Sequence, residues 1–130
     1  MIALDTNVLV RVVTRDDPAQ LQTALALLRG KELWLAKTVL LELEWVLRYS
    51  YQLNRETIEA TFRKLLGWPD LQIEDHRTVL RSLTLYARGM DYADALHLAS
   101  STGADRFVTF DRRLARFAGS EENPRVELLA

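Results

Sequence analysis

Four carboxylates, Asp5, Glu42, Asp94 and Asp111, stand where the apolar pattern turns from strand to helix or runs along a helix. Asp5 closes the opening Met1-Ile2-Ala3-Leu4, and Asp111 closes Arg106-Phe107-Val108-Thr109-Phe110. Both are therefore expected at the carboxyl ends of parallel strands, the edge where open α/β sheets bind their ligands. Acids gathered at such an edge repel one another, and a cation or a shared proton relieves the repulsion. Metal chemistry is the expected use of such a group.

Each acid also has a plain structural role open to it. Asp5 precedes Thr6-Asn7 at a helix start, and Asp111 precedes Arg112-Arg113-Leu114, so either fits an N-cap that accepts backbone N–H groups. Topology, which would carry both to one rim, favours the metal role. Helical phase at about 100° per residue sets Glu42 beside Val39, Trp45 and Val46, on the border of an apolar face, and turns Glu44 toward Arg48 as a solvated i,i+4 pair. Glu42 is accordingly expected to be functional. Asp91 and Asp94 have capping-box spacing. The division expected is Asp91 as the cap and Asp94 one turn inside the helix, facing the acidic rim. Thr109, two residues before Asp111, shares its side of a strand and is placed to orient a carboxylate or a bound water, although a β-branched core residue explains it equally. His76 and His97 lack a second histidine at ligand spacing and read as structural or surface residues. Trp34, Trp45 and Trp68 read as core or interface residues because none sits in a basic stretch.

The elements that must position these groups alternate. Strands are expected at the N-terminus, Glu32 to Ala36, Leu71 to Glu74, Arg106 to Phe110 and Val126 to Leu129. Helices are expected at Thr6 to Arg15, from Asp16-Asp17-Pro18 to Gly30, Val39 to Tyr49, Asn54 to Leu66, Arg77 to Arg88, Asp91 to Ser101 and Asp111 to Ala118. Acidic or amide caps, Pro in a first turn, and Gly30, Gly67 and Gly89 at the ends delimit them. That alternation implies βαβ units and a parallel sheet with helices on both faces.

At 130 residues the chain fits one domain, residues 1–130, with a core of its own. It contains no cysteine, which excludes disulfides and thiolate metal sites and suits a reducing, cytoplasmic setting. No basic leader and no apolar stretch near the ~18 residues of a membrane span is present, so no membrane association is expected. Net charge is −1. Only Lys31, Lys37 and Lys64 are lysines among the 17 basic residues, and the rest are arginine, whose planar fork matches phosphate oxygens. Most of these, such as Arg63, Arg81 and Arg88, read as solvated helix faces.

With these residues in place the chain resembles the PIN-domain ribonucleases, and among them the toxin subunits of VapBC-type toxin–antitoxin systems. The likeness rests on Ile2-Ala3-Leu4-Asp5-Thr6-Asn7, Leu41-Glu42-Leu43, Asp91-Tyr92-Ala93-Asp94-Ala95-Leu96 and Val108-Thr109-Phe110-Asp111, in that order along nearly the whole chain. It implies a three-layer α/β/α fold around a central, mostly parallel sheet of four to five strands. It also implies Mg²⁺- or Mn²⁺-dependent endonucleolytic cleavage of RNA. Asp5, Glu42, Asp94 and Asp111 would be the catalytic acids, with Asp5, Asp94 and Asp111 as metal ligands and Asn7, Thr109 and Asp91 in support. Arg11, Arg112 and Arg113, the arginines nearest the acids in sequence, would meet RNA phosphate. A cognate antitoxin and a second copy of the chain would be protein partners; Trp45, Tyr49 and Tyr51 suit an interface, although a core role explains them nearly as well.

Competing classes fare worse on the residues. A phosphatase of the haloacid dehalogenase type needs Asp-x-Asp after its first strand, and this chain has Asp5-Thr6-Asn7. A receiver-like domain needs a lysine near its last strands, and there is none beyond Lys64. A non-catalytic RNA- or protein-binding module of the same fold remains the alternative, and retention of four mutually repelling acids weighs against it.

Overall fold

Leu33-Trp34-Leu35 and Leu71-Gln72-Ile73 bury alternate side chains, Leu33, Leu35, Leu71 and Ile73, as strands with one face on a core must. Segments this short hold only by pairing with neighbours. The computed structural model describes residues 1–119 and 123–130. The chain forms two compact units, Met1–His76 and Arg77–Ala130.

The first unit runs β1 (Ile2–Ala3), α1 (Thr6–Thr14), α2 (Pro18–Leu28), β2 (Leu33–Leu35), α3 (Lys37–Tyr49), α4 (Arg55–Leu66) and β3 (Leu71–Ile73). Its strands pair in parallel in the order β1-β2-β3, with Ile2 opposite Leu33 and Leu33 opposite Leu71. Parallel pairing requires crossovers, and the helices supply them. Their boundaries follow the expected chemistry. Asp17 caps α2 by accepting from the Gln20 amide, with Pro18 in the first turn, and Asn54 caps α4 by accepting from Thr57. Leu9, Leu33, Leu35, Leu43, Leu47 and Ile58 form the fully buried core. The Glu74 carboxylate accepts from the Lys37 amide at 2.8 Å, tying the start of α3 to the segment leaving β3.

The second unit contains α5 (His76–Ala87) from its second residue on, α6 (Tyr92–Ala99), β4 (Arg106–Thr109), α7 (Arg112–Ala118) and β5 (Arg125–Leu128). Strands β4 and β5 pair in parallel, with Phe107 opposite Val126. The core is built on Tyr86 and Tyr92, which meet edge to face at 5.3 Å, and the Tyr92 hydroxyl lies 3.1 Å from Ser82 Oγ. Gly89 ends α5 at φ 111°, and a Cβ there would stand 3.0 Å from the Phe117 ring, so both conformation and space select glycine. Among the described residues all five expected strands are present and every pairing is parallel, with three strands in the first unit's ladder and two in the second's.

One expectation about α3 is reversed. The buried face of that helix is Leu40, Leu43, Glu44 and Leu47, at i, i+3, i+4 and i+7. Glu44 is 2% exposed rather than solvated, and Arg48 binds it bidentately, Nε to Oε2 at 2.8 Å and Nη2 to Oε1 at 3.2 Å. A charge this buried costs several kcal/mol unless paired, and the arginine fork supplies the partner. Glu42 lies off the buried face and is exposed.

Removal of Arg48 takes two charge-assisted hydrogen bonds from that carboxylate. Arg48→Ala is expected to lower unfolding stability by about 2–3 kcal/mol. Glu44→Gln, which brings no uncompensated charge inside, should lose less, and urea titration of both variants checks the order.

Candidate active site

The turn from β1 into α1 carries the first acid. Leu4 still donates to the Trp34 carbonyl as part of the strand, and Asp5 then caps α1, accepting from the Thr6 amide at 2.7 Å. Asp5 thus fills the structural role foreseen for it while remaining exposed to solvent. Asp5, Thr6, Asn7, Val10 and Arg11 from the start of α1, Glu42 and Val46 from α3, and Ser50 and Tyr51 beyond it line a cleft of about 500 Å³. Helix α3 is therefore what brings Glu42 to Asp5. The functional expectation for Glu42 rested on a buried phase, and it is the outward phase that sets this residue on the cleft.

Thr6 carries an informative imbalance. It is 4% exposed, and among the described residues its hydroxyl is the buried side-chain polar atom with no hydrogen-bond partner. Buried hydroxyls are almost always satisfied, so an orphan on a cleft wall marks a place where something else belongs.

The second unit groups Asp91, Asp94 and Asp111. Asp91 is the N-cap of α6, accepting from the Asp94 amide at 3.4 Å, and Asp94 lies inside the first turn, half-buried. The expected division of the pair is what the helix shows. Burial, first, and then the negative charges of Asp91 and Asp111 hold the Asp94 carboxyl above the usual carboxylate range, while His97 opposes them. His97 itself is exposed. Asp111 caps α7 through the Arg113 and Leu114 amides at 2.9 and 3.1 Å, and its own amide donates to Thr109 Oγ1 at 3.0 Å. Thr109 thus steadies the backbone of Asp111. Arg112 and Arg113 are exposed at the start of α7, the Arg113 guanidinium 5.8 Å from the Phe117 ring centroid.

The acids fall into two groups, one in each unit. Within neither unit do three or more His, Asp or Glu side chains among the described residues come close enough to hold a metal ion. Capping explains this, because Asp5, Asp91 and Asp111 each turn an oxygen toward helix amides. The donor set nonetheless suits a hard divalent cation, since every candidate ligand is carboxylate or hydroxyl oxygen. Two features are of the kind a cation relieves, the orphaned Thr6 hydroxyl in the first unit and the electrostatic load on Asp94 in the second. By donor chemistry, rather than by a formed cluster, these residues fit such an ion.

The sequence did not reveal the polar network around Arg11. Its guanidinium binds Asp16 at 3.0 Å, the Tyr51 hydroxyl at 3.3 Å and Gln20, and Tyr51 donates to Asp16 at 2.6 Å. The Tyr51 hydroxyl, followed by Thr14 and Arg11, holds the Asp16 carboxyl below its ordinary value. Asp16-Asp17 reads in sequence as one acidic cap, but Asp17 alone caps α2. The second acid was the available signal. Tyr51, expected at an interface, belongs to this network, whereas Trp45 and Tyr49 are 53% and 59% exposed on α3.

Parallel βα units with acids at the strand–helix turns define an α/β protein whose candidate ligands stand at the carboxyl ends of its strands. Residues 2–120 match the model of the PIN domain family, and the chain belongs to that family, helix-rich with parallel strands and generally a nuclease fold. No curated protein and no solved structure matches it. Among the described residues no helix is long and apolar enough to cross a membrane.

Asp94 supplies a pH test. Its carboxyl titrates higher in the folded than in the unfolded chain, so the folded state holds the extra proton and its stability falls as pH rises through that window. Ionised Asp94 is a cost at neutral pH in the metal-free protein. Asp94→Asn should therefore melt higher than the native chain at pH 7, and the gap should close as pH drops below about 3.9, where the unfolded carboxyl is protonated as well.

Proposed function

We propose that this protein is a Mg²⁺- or Mn²⁺-dependent endoribonuclease acting as the toxin of a type II toxin–antitoxin pair. Membership of a generally nucleolytic family supports hydrolysis of phosphodiester bonds. The observation that supports the metal requirement is the placing of Asp94, half-buried in the first turn of α6 behind its cap Asp91, where burial and then the negative charges of Asp91 and Asp111 hold its carboxyl above the usual range. Crowding acids in this way costs stability, and a fold that retains the cost has a use for the charge.

In this reading Asp5, Asp94 and Asp111 are the metal ligands. When bound, a divalent cation supplies a water acidic enough to attack at neutral pH and steadies the leaving oxygen of an in-line displacement. Glu42, exposed on the cleft, would orient the attacking water and accept its proton. Thr109 holds the Asp111 backbone through a 3.0 Å hydrogen bond, and Asn7 lines the cleft beside Asp5 as polar support. Asp91 keeps the first turn of α6 wound, which fixes where Asp94 stands. Arg112 and Arg113, exposed and adjacent to Asp111, meet the phosphates that the carboxylates would otherwise repel. A cognate antitoxin and a second copy of the chain are the protein partners, and the exposed Trp45 and Tyr49 rings, 5.1 Å apart on α3, suit such an interface. A cytoplasmic setting goes with both the target and the absence of cysteine.

One observation favours a second reading. Asp5, Asp91 and Asp111 already serve as helix caps, which a non-catalytic PIN module binding RNA or protein would also need.

Cleavage of a structured RNA pool separates the two. The native protein should cut in Mg²⁺ or Mn²⁺ and be silent in EDTA, and Asp5→Asn and Asp94→Asn should each lose at least about 100-fold in rate. Cleavage by either variant at the native rate would remove the metal-dependent mechanism.

A further inference from the structure

We propose that Arg11 is the phosphate-contacting cation of the first unit's cleft, and that Asp16, Gln20 and Tyr51 are positioning residues that hold its guanidinium for that contact. The inference rests on the RNA-cleaving reading and deepens it.

The cleft wall carries two carboxylates, Asp5 and Glu42, and a single positively charged side chain, Arg11. A phosphodiester entering between two acids meets repulsion unless a cation shares the wall. A flexible arginine loses rotamer entropy on being fixed at the moment of binding. Here the fixing is already done. Arg11 Nε donates to Gln20 Oε1, and Nη1 donates to both Asp16 Oδ1 at 3.0 Å and the Tyr51 hydroxyl at 3.3 Å. Those bonds occupy three of the five guanidinium donors. The two on Nη2 have no partner among the described residues, and the side chain is 30% exposed.

The anchors are themselves anchored. Tyr51 donates to Asp16 Oδ2 at 2.6 Å, and the Thr14 hydroxyl donates to Asp16 Oδ1 at 2.8 Å, so the acid that pairs with Arg11 is bonded from both sides. Asp17, not Asp16, caps α2, so capping does not explain the second acid of the pair. Tyr51 closes the ring from 35 residues away and also lines the cleft. An arginine held by three side chains, with its remaining fork left over, is the preorganised form of a phosphate contact.

Equilibrium binding of a fluorescently labelled single-stranded RNA, followed by anisotropy in EDTA across a salt series, tests this without turnover. The native chain should bind with a negative log–log salt slope. Arg11→Gln should weaken binding about 10-fold and reduce the magnitude of the slope by about one. Arg11→Lys, which keeps the charge, should restore the slope but only part of the affinity. Tyr51→Phe should keep the slope and weaken binding several-fold, and in cleavage assays it should raise KM with kcat nearly unchanged, which a general loss of folding would not do. A native slope and affinity in Arg11→Gln overturns the phosphate contact, and native KM in Tyr51→Phe overturns the positioning role. Failure of the native chain itself to bind RNA at the lowest salt would instead remove the RNA-cleaving reading beneath both.

Discussion

A helix that starts where a strand ends exposes amide N–H groups that need oxygen acceptors, and this requirement organises most of what the acids do. Asp5 meets it for α1 after β1 and Asp111 for α7 after β4, while Asp91 caps α6, which follows another helix. The same geometry that asks for a capping carboxylate delivers that carboxylate to the carboxyl edge of parallel strands, where an α/β protein binds ligands. In Asp5 and Asp111 the capping residue is thus also the residue whose position at that edge makes it a candidate ligand. The acids that do not cap, Glu42 and Asp94, stand inside their helices: Asp94 in the first turn of α6, which Asp91 caps, and Glu42 in the second turn of α3, whose first amide is met by Glu74.

Charge inside the molecule is handled in two different ways. Glu44 is buried and met by a fork of two hydrogen bonds from Arg48, a closed arrangement with nothing left to offer a ligand. Asp94 is less buried, yet its neighbours are other acids and one exposed histidine, and its carboxyl is held above the ordinary range as a result. The contrast distinguishes a carboxylate that stabilises the fold from one that is tolerated by it. Arg48 also packs its guanidinium 4.7 Å from the Tyr49 ring centroid, so the neutralised pair extends to the surface aromatic patch of α3.

Local chemistry made most of the fold readable. Asp17-Pro18, Asn54, Asp91 and Asp111 are strong start signals, and the helices they open begin within a residue of where those signals set them. The parallel pairing followed from the alternation of strands and helices. What was not readable was the phase of α3. Val39, Leu40, Leu41, Leu43, Val46 and Leu47 make that helix apolar nearly all round, so periodicity could not say which side faces the core. Packing decided it in favour of Leu40, Leu43 and Leu47, reversing the burial of Glu42 and Glu44. The Arg11 network was hidden for a different reason: its closing bond spans 35 residues, from Tyr51 to Asp16, and leaves no local pattern.

The capping geometry of Asp111 has an evolutionary consequence. Oδ1 alone accepts from both the Arg113 and Leu114 amides. Asparagine offers an oxygen of the same shape and is as good an N-cap. One nucleotide change converts an aspartate codon into an asparagine codon, so a lineage can discard the charge at this position while the helix stays wound. Losing the charge and keeping the wound helix are a single mutational step apart, so the scaffold at this position does not by itself hold the carboxylate in place over generations.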